Sequence, residues 1–532
     1  MEQKNTKIAV ILILVACCGL FLTNIGGRDF WAPDEGDFAE IVKELDNNFV
    51  VPHLNNSAYA EKPPLFYYVV FAFAKTFRWL PEETSMRLAS GFAAILTIIT
   101  LFLVTRSFFG IRMALYSVVI LALAPLFYWQ ARYLQVDMVF SAALVAALLV
   151  FFQFMESGRK AWYYLFFVAL AFAFMAKGPL ALALAAPVAV LYCASERRLS
   201  VLFTRHTCIG VLLFLVIVLP WYLAVYLKEG FPYLYENILR QNFLRFFDAW
   251  SHRRPFYYYF TTLPLDFFPW SLFLPLGLYA AVKKWRTDRE TRYFCLWFVW
   301  FFFFLSLSSG KISKYMLPAL PALAVMVSGS ITDGKSLYNK IAFCVTGAVF
   351  LALGITLLTY RTSLYGEFLP ERIILGSLAI GIGVLIILCV RFNAPRAAFA
   401  SLAVFMGLAF MTGNISIFEK WNRYKSPKPV SEKIRSLAGE DVPWVYYGSM
   451  RGVYVYYVGR FAVHVEEHDV AGLRQFAGGQ KKFYLLTRRR DAAEVTQAVP
   501  GAVVQSQDRI GDTDMVIFSY EKSMTDTADE TR

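Results

Sequence analysis

Charged side chains at the edges of apolar runs in this chain have the types needed for acid–base chemistry and anion binding. Asp34 opens an amphipathic segment, and Asp137 lies at the lip of a long apolar run, where an ionisable group is costly. A positioned carboxylate acts as a general base or orients a reactant. Lys and Arg bind phosphate, and a group of them beside carboxylates favours an anion site over separate interface anchors. The cations on the side of Asp34 and Asp137, in the topology below, are Lys62, Lys177, Arg240, Arg245, Arg253, Arg254, Lys311 and Lys314.

The other candidate groups have simpler alternatives. Glu35 follows Asp34 in a first helical turn, where acids also suit the helix dipole. Glu61, His53 and His252 form a candidate metal set, since imidazole and carboxylate bind zinc, and separate surface positions are the alternative. The sequence contains no G-x-x-x-x-G-K-[ST], G-x-G-x-x-G or H-E-x-x-H motif. It therefore requires no cofactor, and a divalent metal ion is the one candidate.

Composition predicts that these groups are positioned by membrane helices. Hydrophobic residues make up 58% of the 532 residues and charged residues only 17%, far from the balance of a soluble domain. The net charge of +13 is typical of cytoplasmic loops of membrane proteins, so nucleic acid is not an expected partner. All seven cysteines lie in or beside apolar runs, which argues against a disulfide framework.

The apolar runs predict thirteen membrane spans, with the N-terminus in the cytoplasm. This orientation gives every short cytoplasmic loop at least two Lys or Arg. Segment 65–80 is short and carries Lys75 and Arg78, so it is predicted to be an interfacial or re-entrant helix. The predicted spans are 8–26, 87–105, 113–131, 137–154, 161–176, 179–194, 208–227, 264–282, 292–308, 315–331, 341–359, 373–390 and 397–413.

Two domains are predicted. Residues 1–413 form a transmembrane domain with two long outer loops, 28–64 and 228–263, the second dense in aromatic residues and Arg. Residues 414–532 form a small outer α/β domain. Its strand-like pieces are "PWVYYGS", "VYVYYVG", "FAVHVEE", "KKFYLLT" and "DMVIFSYE", and "PVSEKIRSLAG" is predicted to be helical.

Several motifs together resemble one known family. "WAPDEGDFAEI", "YAEKPPLFYY", "MAKGPLALA", "HRRPFYYYF" and "SSGKISKYMLPALPALA" are similar to motifs of the aminoarabinose transferases of lipid A. These are polyprenyl-phosphate-dependent membrane glycosyltransferases of the GT-C type, related to the protein mannosyltransferases. The similarity runs in order through most of residues 20–330.

The resemblance implies roles for individual residues. Lys62, of the "EKP" motif, is expected at the carrier phosphate, with Glu61 as its positioning partner or a metal ligand. Asp34 and Asp137 are the expected catalytic acids, and Glu35 an acceptor-positioning group. Four further residues are expected to bind the phosphate of the donor or line the cavity: Arg245, Arg253, Lys311 and Tyr315.

Two departures concern the charges of this site. Relatives usually continue Asp-Glu with Thr-Arg-Tyr, where this chain has Gly36, Asp37 and Phe38. They also often carry Lys-Gly-Lys, where this chain has Ser309-Gly310-Lys311. Two positive groups are therefore missing, which leaves the sugar and the acceptor open.

The predicted function is transfer of a sugar from a polyprenyl phosphate to an acceptor on the periplasmic face of a bacterial inner membrane. The acceptor is lipid A or another envelope glycolipid. The alternatives are a protein O-glycosyltransferase and a transporter or flippase of a lipid-linked sugar, for which charges within the spans and internal repeats are expected.

Overall fold

A computed structural model describes residues 2–332, 337–360 and 366–522. The chain divides into two compact units. The membrane unit contains Met1–Ile25, Ala60–Leu80 and Arg87–Ile417, and the sheet unit contains Gly26–Tyr59, Pro81–Met86 and Phe418–Arg532. Most of the first polar segment, predicted as a loop of the transmembrane domain, thus clusters with the C-terminal residues.

Helices dominate the described chain. They are α1 (Glu2–Cys17), α2 (Asp34–Glu44), α3 (Leu65–Thr76), α4 (Glu82–Ala122), α5 (Pro125–Ala131), α6 (Val136–Ser157), α7 (Lys160–Lys177), α8 (Leu180–Ser195), α9 (Arg205–Leu234), α10 (Arg245–Phe247), α11 (Tyr258–Asp266), α12 (Leu274–Lys284), α13 (Arg289–Leu307), α14 (Leu320–Thr332), α15 (Leu337–Thr359), α16 (Leu369–Arg391), α17 (Pro395–Thr412), α18 (Phe418–Lys420), α19 (Asn422–Lys425), α20 (Lys428–Ala438), α21 (Gly452–Val458), α22 (Val470–Gly478) and α23 (Ala492–Ala498). π-Helical turns extend this set at Cys18–Leu22, Tyr235–Leu244 and Gly413–Ile417, and 3-10 turns occur at Leu199–Phe203, Trp270–Phe273, Ser313–Ala319 and Arg489–Asp491.

The multi-span helical architecture is confirmed, but the count of thirteen spans is not. Among the described residues, nine helices are long and apolar enough to cross a membrane, or ten if the bent pair Tyr258–Asp266 and Trp270–Lys284 is one span. The difference has local causes. Helix α4 covers two expected spans, joined at Gly110, whose φ of 78° breaks the helix. Lys7–Leu22 and Leu180–Ser195 are apolar but short.

Two segments near the expected site are helical. Segment 65–80 contains the 12-residue α3, which is too short to cross a bilayer by itself. The expected outer loop 228–263 continues α9 past a break at Gly230 and through a π-helical turn to Phe247. A helical backbone therefore fixes the direction of the Asn and Arg side chains in this segment.

The sheet unit has an α/β core. The strands are β1 (His53–Leu54), β2 (Ser57–Ala58), β3 (Trp444–Tyr447), β4 (Val463–Val465), β5 (Lys482–Arg488), β6 (Val503–Ile510) and β7 (Thr513–Glu521). The five-stranded sheet has the order β4-β3-β5-β7-β6, with β3 parallel to β4 and β5 and the other pairs antiparallel. Helices α22 and α23 supply Leu473 and Val495 to the core beneath it.

Two details of the sheet unit differ from the sequence prediction. "VYVYYVG" is not a strand but α21, most of whose residues are buried, so no polar alternation marks its period. Strand β6 was missed because it lies at the sheet edge and is largely exposed, with polar residues along it.

Candidate active site

Asp137 lies in a buried ion pair at one end of the membrane unit. Helices α6 and α7 are antiparallel neighbours across a tight turn at Gly158, whose φ is 68°, so the start of α6 meets the end of α7. Lys177 Nζ lies 2.5 Å from Asp137 Oδ1, and both side chains are almost fully buried. Lys314 Nζ lies 3.6 Å from the other carboxylate oxygen. One carboxylate thus meets two ammonium groups, and the set keeps a net positive charge.

An aromatic ring completes this arrangement. The ammonium of Lys177 lies 4.5 Å from the centre of the Tyr315 ring, a cation–π distance. Tyr315 belongs to the 3-10 turn that follows the Ser309-Gly310-Lys311 segment, next to Lys314. Helix α7 ends at this point because Gly178 takes a φ of 69°, which a residue with a side chain rarely adopts.

Lys62 lies in the electrostatic field of the same cluster. Burial lowers the pKa of Lys62 to about 8; Glu61 opposes this shift, Arg245 and Lys177 add to it, and Asp137 opposes it. Its ammonium donates to the carbonyl of Glu61 at 3.1 Å, and the Glu61 side chain itself is exposed. We call Lys62, Asp137, Lys177, Arg245 and Lys314 the charged cluster. It carries four cations and one buried carboxylate, and the exposed carboxylate of Glu61 acts on it through Lys62.

Amide side chains hold the backbone on either side of this cluster. Asn237 donates to the carbonyl of Ala60 at 2.8 Å, two residues before Lys62, and accepts from Tyr222 at 3.1 Å. Asn242 donates to the carbonyl of Asn237 at 2.8 Å and contacts Gly178 beside Lys177. The π-helical turn thus ties the Lys62 segment to the end of α7.

Arg245 is held at the end of that turn but keeps hydrogen-bonding capacity. It donates to Gln241 at 3.0 Å and to Ser251 at 3.4 Å. Its guanidinium lies 5.3 Å from the centre of the Trp250 ring. A guanidinium has five N–H donors, so an arginine held in this way can still bind a phosphate oxygen.

Lys311 and Arg253 belong to a neighbouring loop pair rather than to the charged cluster. Arg253 and Gly310 form a β-bridge, and the Lys311 N–H donates to the carbonyl of His252 at 3.0 Å. The buried Lys311 ammonium donates to the carbonyls of Arg254, at 3.0 Å, and Ser308. Arg253 is exposed and forms an ion pair with Asp248. Lys311 therefore holds the two loops together through its hydrogen bonds, whereas Arg253 faces solvent.

Asp34 and Glu35 start α2 in the sheet unit and differ in environment. Glu35 is fully buried and accepts from Arg28, with Nη2 2.9 Å from Oε1, and from the N–H of Trp31 at 3.3 Å. Its two oxygens are used in holding the approach to α2. Asp34 is half-buried.

The departure Gly36-Asp37 has a local explanation in the sheet unit. A Cβ at Gly36 would lie 2.1 Å from Cβ of Val453, so α2 and α21 touch at a position that only glycine fits. Asp37 accepts from the N–H groups of Gly452 and Val453 at the start of α21, and burial raises its pKa to about 8. The positive group opposite it is Arg451.

The metal hypothesis is not confirmed. Across the described residues, no group of three or more His, Cys, Asp or Glu side chains is arranged to hold a metal ion. His53 Nδ1 lies 2.8 Å from the carbonyl of Val51, and His252 is an exposed residue with a φ of 58°. Glu61 is exposed beside Lys62. Glu61, His252 and His53 therefore do not come together as a metal-binding group among the described residues.

The sequence placed Lys177 and Lys314 among the outer cations but did not assign them to the site. Both contact Asp137, so they belong to the charged cluster as closely as Lys62 and Arg245 do. The signal was present for Lys177: it ends an apolar span in "MAKGP", where a lysine must have a partner or reach water.

Comparison with known proteins confirms the resemblance. Residues 61–223 match the family model described as dolichyl-phosphate-mannose-protein mannosyltransferase. The undecaprenyl phosphate-alpha-4-amino-4-deoxy-L-arabinose arabinosyl transferase of Edwardsiella ictaluri is 28% identical over 436 residues, or 76% of this chain and 75% of that protein. An uncharacterized protein of Aquifex aeolicus is 26% identical over 361 residues, or 67% of this chain and 70% of its own length.

The fold has a solved counterpart. The crystal structure of ArnT from Cupriavidus metallidurans, bound to undecaprenyl phosphate, superposes with a TM-score of 0.81 at 20% identity and covers 96% of this chain and 97% of its own. Agreement over nearly the whole length of both chains establishes a common architecture. The chain is therefore similar in sequence to the undecaprenyl phosphate-alpha-4-amino-4-deoxy-L-arabinose arabinosyl transferases and shares the fold of ArnT.

Proposed function

We propose that the protein transfers a sugar from undecaprenyl phosphate, or a similar polyprenyl phosphate, to an acceptor at the periplasmic face of the bacterial inner membrane. The observation that carries the proposal is the charged cluster. Lys177 and Lys314 contact the carboxylate of Asp137, and Lys177, Arg245 and Asp137 all act electrostatically on Lys62, so positive charge exceeds negative charge in this set and a phosphate would offset it. The relative from Edwardsiella ictaluri is named as an arabinosyl transferase of undecaprenyl phosphate-alpha-4-amino-4-deoxy-L-arabinose, and the same donor class suits this chain.

The reaction requires stabilisation of a leaving phosphate. In direct displacement, the bond between the anomeric carbon and the phosphate oxygen breaks, and its electron pair remains on the phosphate. A new bond forms from the acceptor oxygen to the anomeric carbon, with inversion. In this proposal Lys62 and Arg245 stabilise the growing negative charge, and preorganised cations lower the barrier most when water is excluded.

Asp137 has a different role from the one its type first suggests. Its two oxygens are already engaged by Lys177 and Lys314, so it is a poor acceptor for a substrate proton. We assign it to holding these two ammonium groups in place. Asp34 is the general base for a hydroxyl acceptor, taking the proton that the acceptor loses. Tyr315 orients Lys177 through its ring.

The other residues expected at the site have supporting roles in this proposal. Glu35 fixes the approach to α2 through Arg28, and Lys311 fixes the loop that precedes Tyr315. Arg253 is exposed, which suits contact with the carrier phosphate, and Glu61 is exposed, which suits positioning of the acceptor. In this proposal the N-terminus is cytoplasmic, and both the cluster and residues 414–532 face the periplasm.

The test is transfer by the purified protein. It would be incubated with a labelled undecaprenyl-phosphate sugar and lipid A in detergent, and labelled lipid A would be measured. Asp34→Asn should abolish transfer, because the acceptor proton loses its base. Asp46→Asn is the matched control, since it removes an exposed acid of the same polar segment and should leave transfer unchanged.

Each outcome separates the alternatives. Label on lipid A supports the proposal. Label on a protein acceptor supplied instead identifies a protein O-glycosyltransferase. Movement of intact carrier across a vesicle membrane, without cleavage, identifies a flippase and refutes the transferase.

A further inference from the structure

A charged cavity lies in the membrane unit, lined by residues other than those of the charged cluster. Its volume is about 910 Å³, and it is bounded by α4 just after its break at Gly110 and by the ends of α14, α15, α16 and α17. Three cations line it: Arg112, Lys340 and Arg396. None of the described residues lining the cavity is acidic. We propose that this cavity binds the phosphate headgroup of an anionic phospholipid.

The helix directions make the positive charge unusual. Ile111 starts the second segment of α4, after the break at Gly110, and α15 and α17 begin at Leu337 and Pro395. Each cation therefore lies within the first turn of a helix. The N-terminal end of a helix carries partial positive charge and normally attracts acids. The three cations add positive charge to helix ends that are already partly positive, so binding of an external anion is favourable there.

The cations lack compensation within the described chain. Neither Arg112 nor Arg396 has an ion-pair partner among the described residues, and both are exposed. Lys340 donates to the side chain of Asn393 at 2.7 Å, which holds it against the turn between α16 and α17. Basic pockets between membrane helices are known to suit phospholipid headgroups.

A buried amide gives the second observation. Asn339 lines the cavity and is 1% exposed. Its Nδ2 donates to the carbonyl of Ser330 at 2.7 Å, which fixes the orientation of the amide because a carbonyl can only accept. Its Oδ1 has no hydrogen-bond partner among the described residues. A headgroup hydroxyl would satisfy this oxygen, so the chemistry favours a glycerol headgroup.

The apolar part of the lining explains why the anion is a lipid. Ile331, Phe343 and Val390 share the cavity with the cations. A free phosphate ion gains nothing from such walls, whereas a phospholipid buries the start of its acyl chains there. We therefore commit to a phospholipid, with phosphatidylglycerol as the probe.

The experiment measures lipid retained by the full-length protein. The protein would be purified in mild detergent with phosphatidylglycerol, and bound lipid would be counted by native mass spectrometry. The variant Arg112→Gln/Lys340→Gln/Arg396→Gln should retain at least fivefold less. The control Lys283→Gln/Lys284→Gln/Arg286→Gln removes three charges from another basic loop on the same predicted side and should retain as much as the wild type.

Two further arms define the ligand. Asn339→Leu should reduce the preference for phosphatidylglycerol over phosphatidic acid, which lacks the glycerol hydroxyls. Millimolar inorganic phosphate should not displace the lipid. Equal lipid loss in the cavity and control variants, or displacement by inorganic phosphate, would overturn the proposal. Neither arm depends on transferase activity, so the result is independent of the proposed function.

Discussion

Lys62 gives a sharp test of the active-site assignment, because its charge should disappear within an accessible pH range. Burial lowers the pKa of Lys62 to about 8, below the usual lysine value near 10.4. At that pKa about nine in ten free enzyme molecules carry the charge at pH 7, and about one in ten at pH 9. If the ammonium binds the carrier phosphate, kcat/KM for the lipid-phosphate donor should fall about tenfold over this interval.

The size of the effect can be bounded by removal of the amine. A hydrogen bond to a charged group contributes about 1.5–3 kcal/mol, so Lys62→Gln should lower kcat/KM about 10- to 150-fold at pH 7. The wild-type protein should approach this variant at high pH, since both then lack the charge. Lys62→Arg should keep its activity through pH 9, because a guanidinium stays protonated.

The assay is initial-rate transfer from the labelled donor between pH 6.5 and 9.5, at donor concentrations below KM. Burial also lowers the pKa of Lys311, so this residue is a second candidate for the alkaline limb. Lys62→Arg retains Lys311 and therefore distinguishes the two. Lys228→Gln, an exposed lysine of the same outer region, should keep the wild-type profile. An unchanged alkaline limb in Lys62→Arg would refute the assignment.

Three other outcomes follow from the packing. Asp137→Asn should destabilise the protein by about 3–5 kcal/mol in a denaturant titration, because Lys177 is left as a buried unpaired charge, and Asp137→Asn/Lys177→Met should regain stability without transfer activity. Gly36→Val should lower the melting temperature, whereas Gly478→Ala, in open space on another helix of the same unit, should not; equal shifts would contradict the close contact. Folding raises the pKa of Asp37 to about 8, above the unfolded value near 3.9, so the sheet unit should lose stability as the pH rises from about 4 to 8. Asp37→Asn should flatten this pH dependence, and an unchanged slope in the variant would contradict the assignment.

Much of the fold follows from hydrophobic run length, and its errors have identifiable causes. The sequence shows thirteen apolar runs. Run length alone does not distinguish a full span from a short helix, or from a broken helix such as α4, which is interrupted at Gly110. The strand prediction for residues 453–459 failed because Val and Tyr favour strands locally, while burial on most sides of α21 decided the structure.

The site was only partly readable from the chain. Topology grouped the cations on one side, but it did not show which of them meet. The contact between Lys177 and Asp137 depends on the turn at Gly158, which sets the ends of α6 and α7 side by side. Conversely, the motif around Lys311 predicted a phosphate-binding or cavity-lining residue, but its ammonium donates hydrogen bonds to two backbone carbonyls. Hydrogen-bond partners of this kind have no signature in a single sequence.

The departure at Gly36 and Asp37 raised the question of whether this chain has lost its phosphate chemistry. The two residues instead satisfy a local need in the sheet unit, where Gly36 admits Val453 and Asp37 caps the start of α21. In the membrane unit the charged cluster has four cations against the carboxylates of Asp137 and Glu61, so bound negative charge is still favourable there. The loss of an arginine from the motif therefore argues for a change in what the first polar segment recognises, not in what the cluster binds. We expect this chain to use the same donor phosphate as the relatives but a different acceptor. A transfer assay with a panel of acceptors, run with undecaprenyl phosphate as competitor of the donor, separates the two. Competition by undecaprenyl phosphate together with an altered choice of acceptor is the expected result, and loss of competition would contradict it.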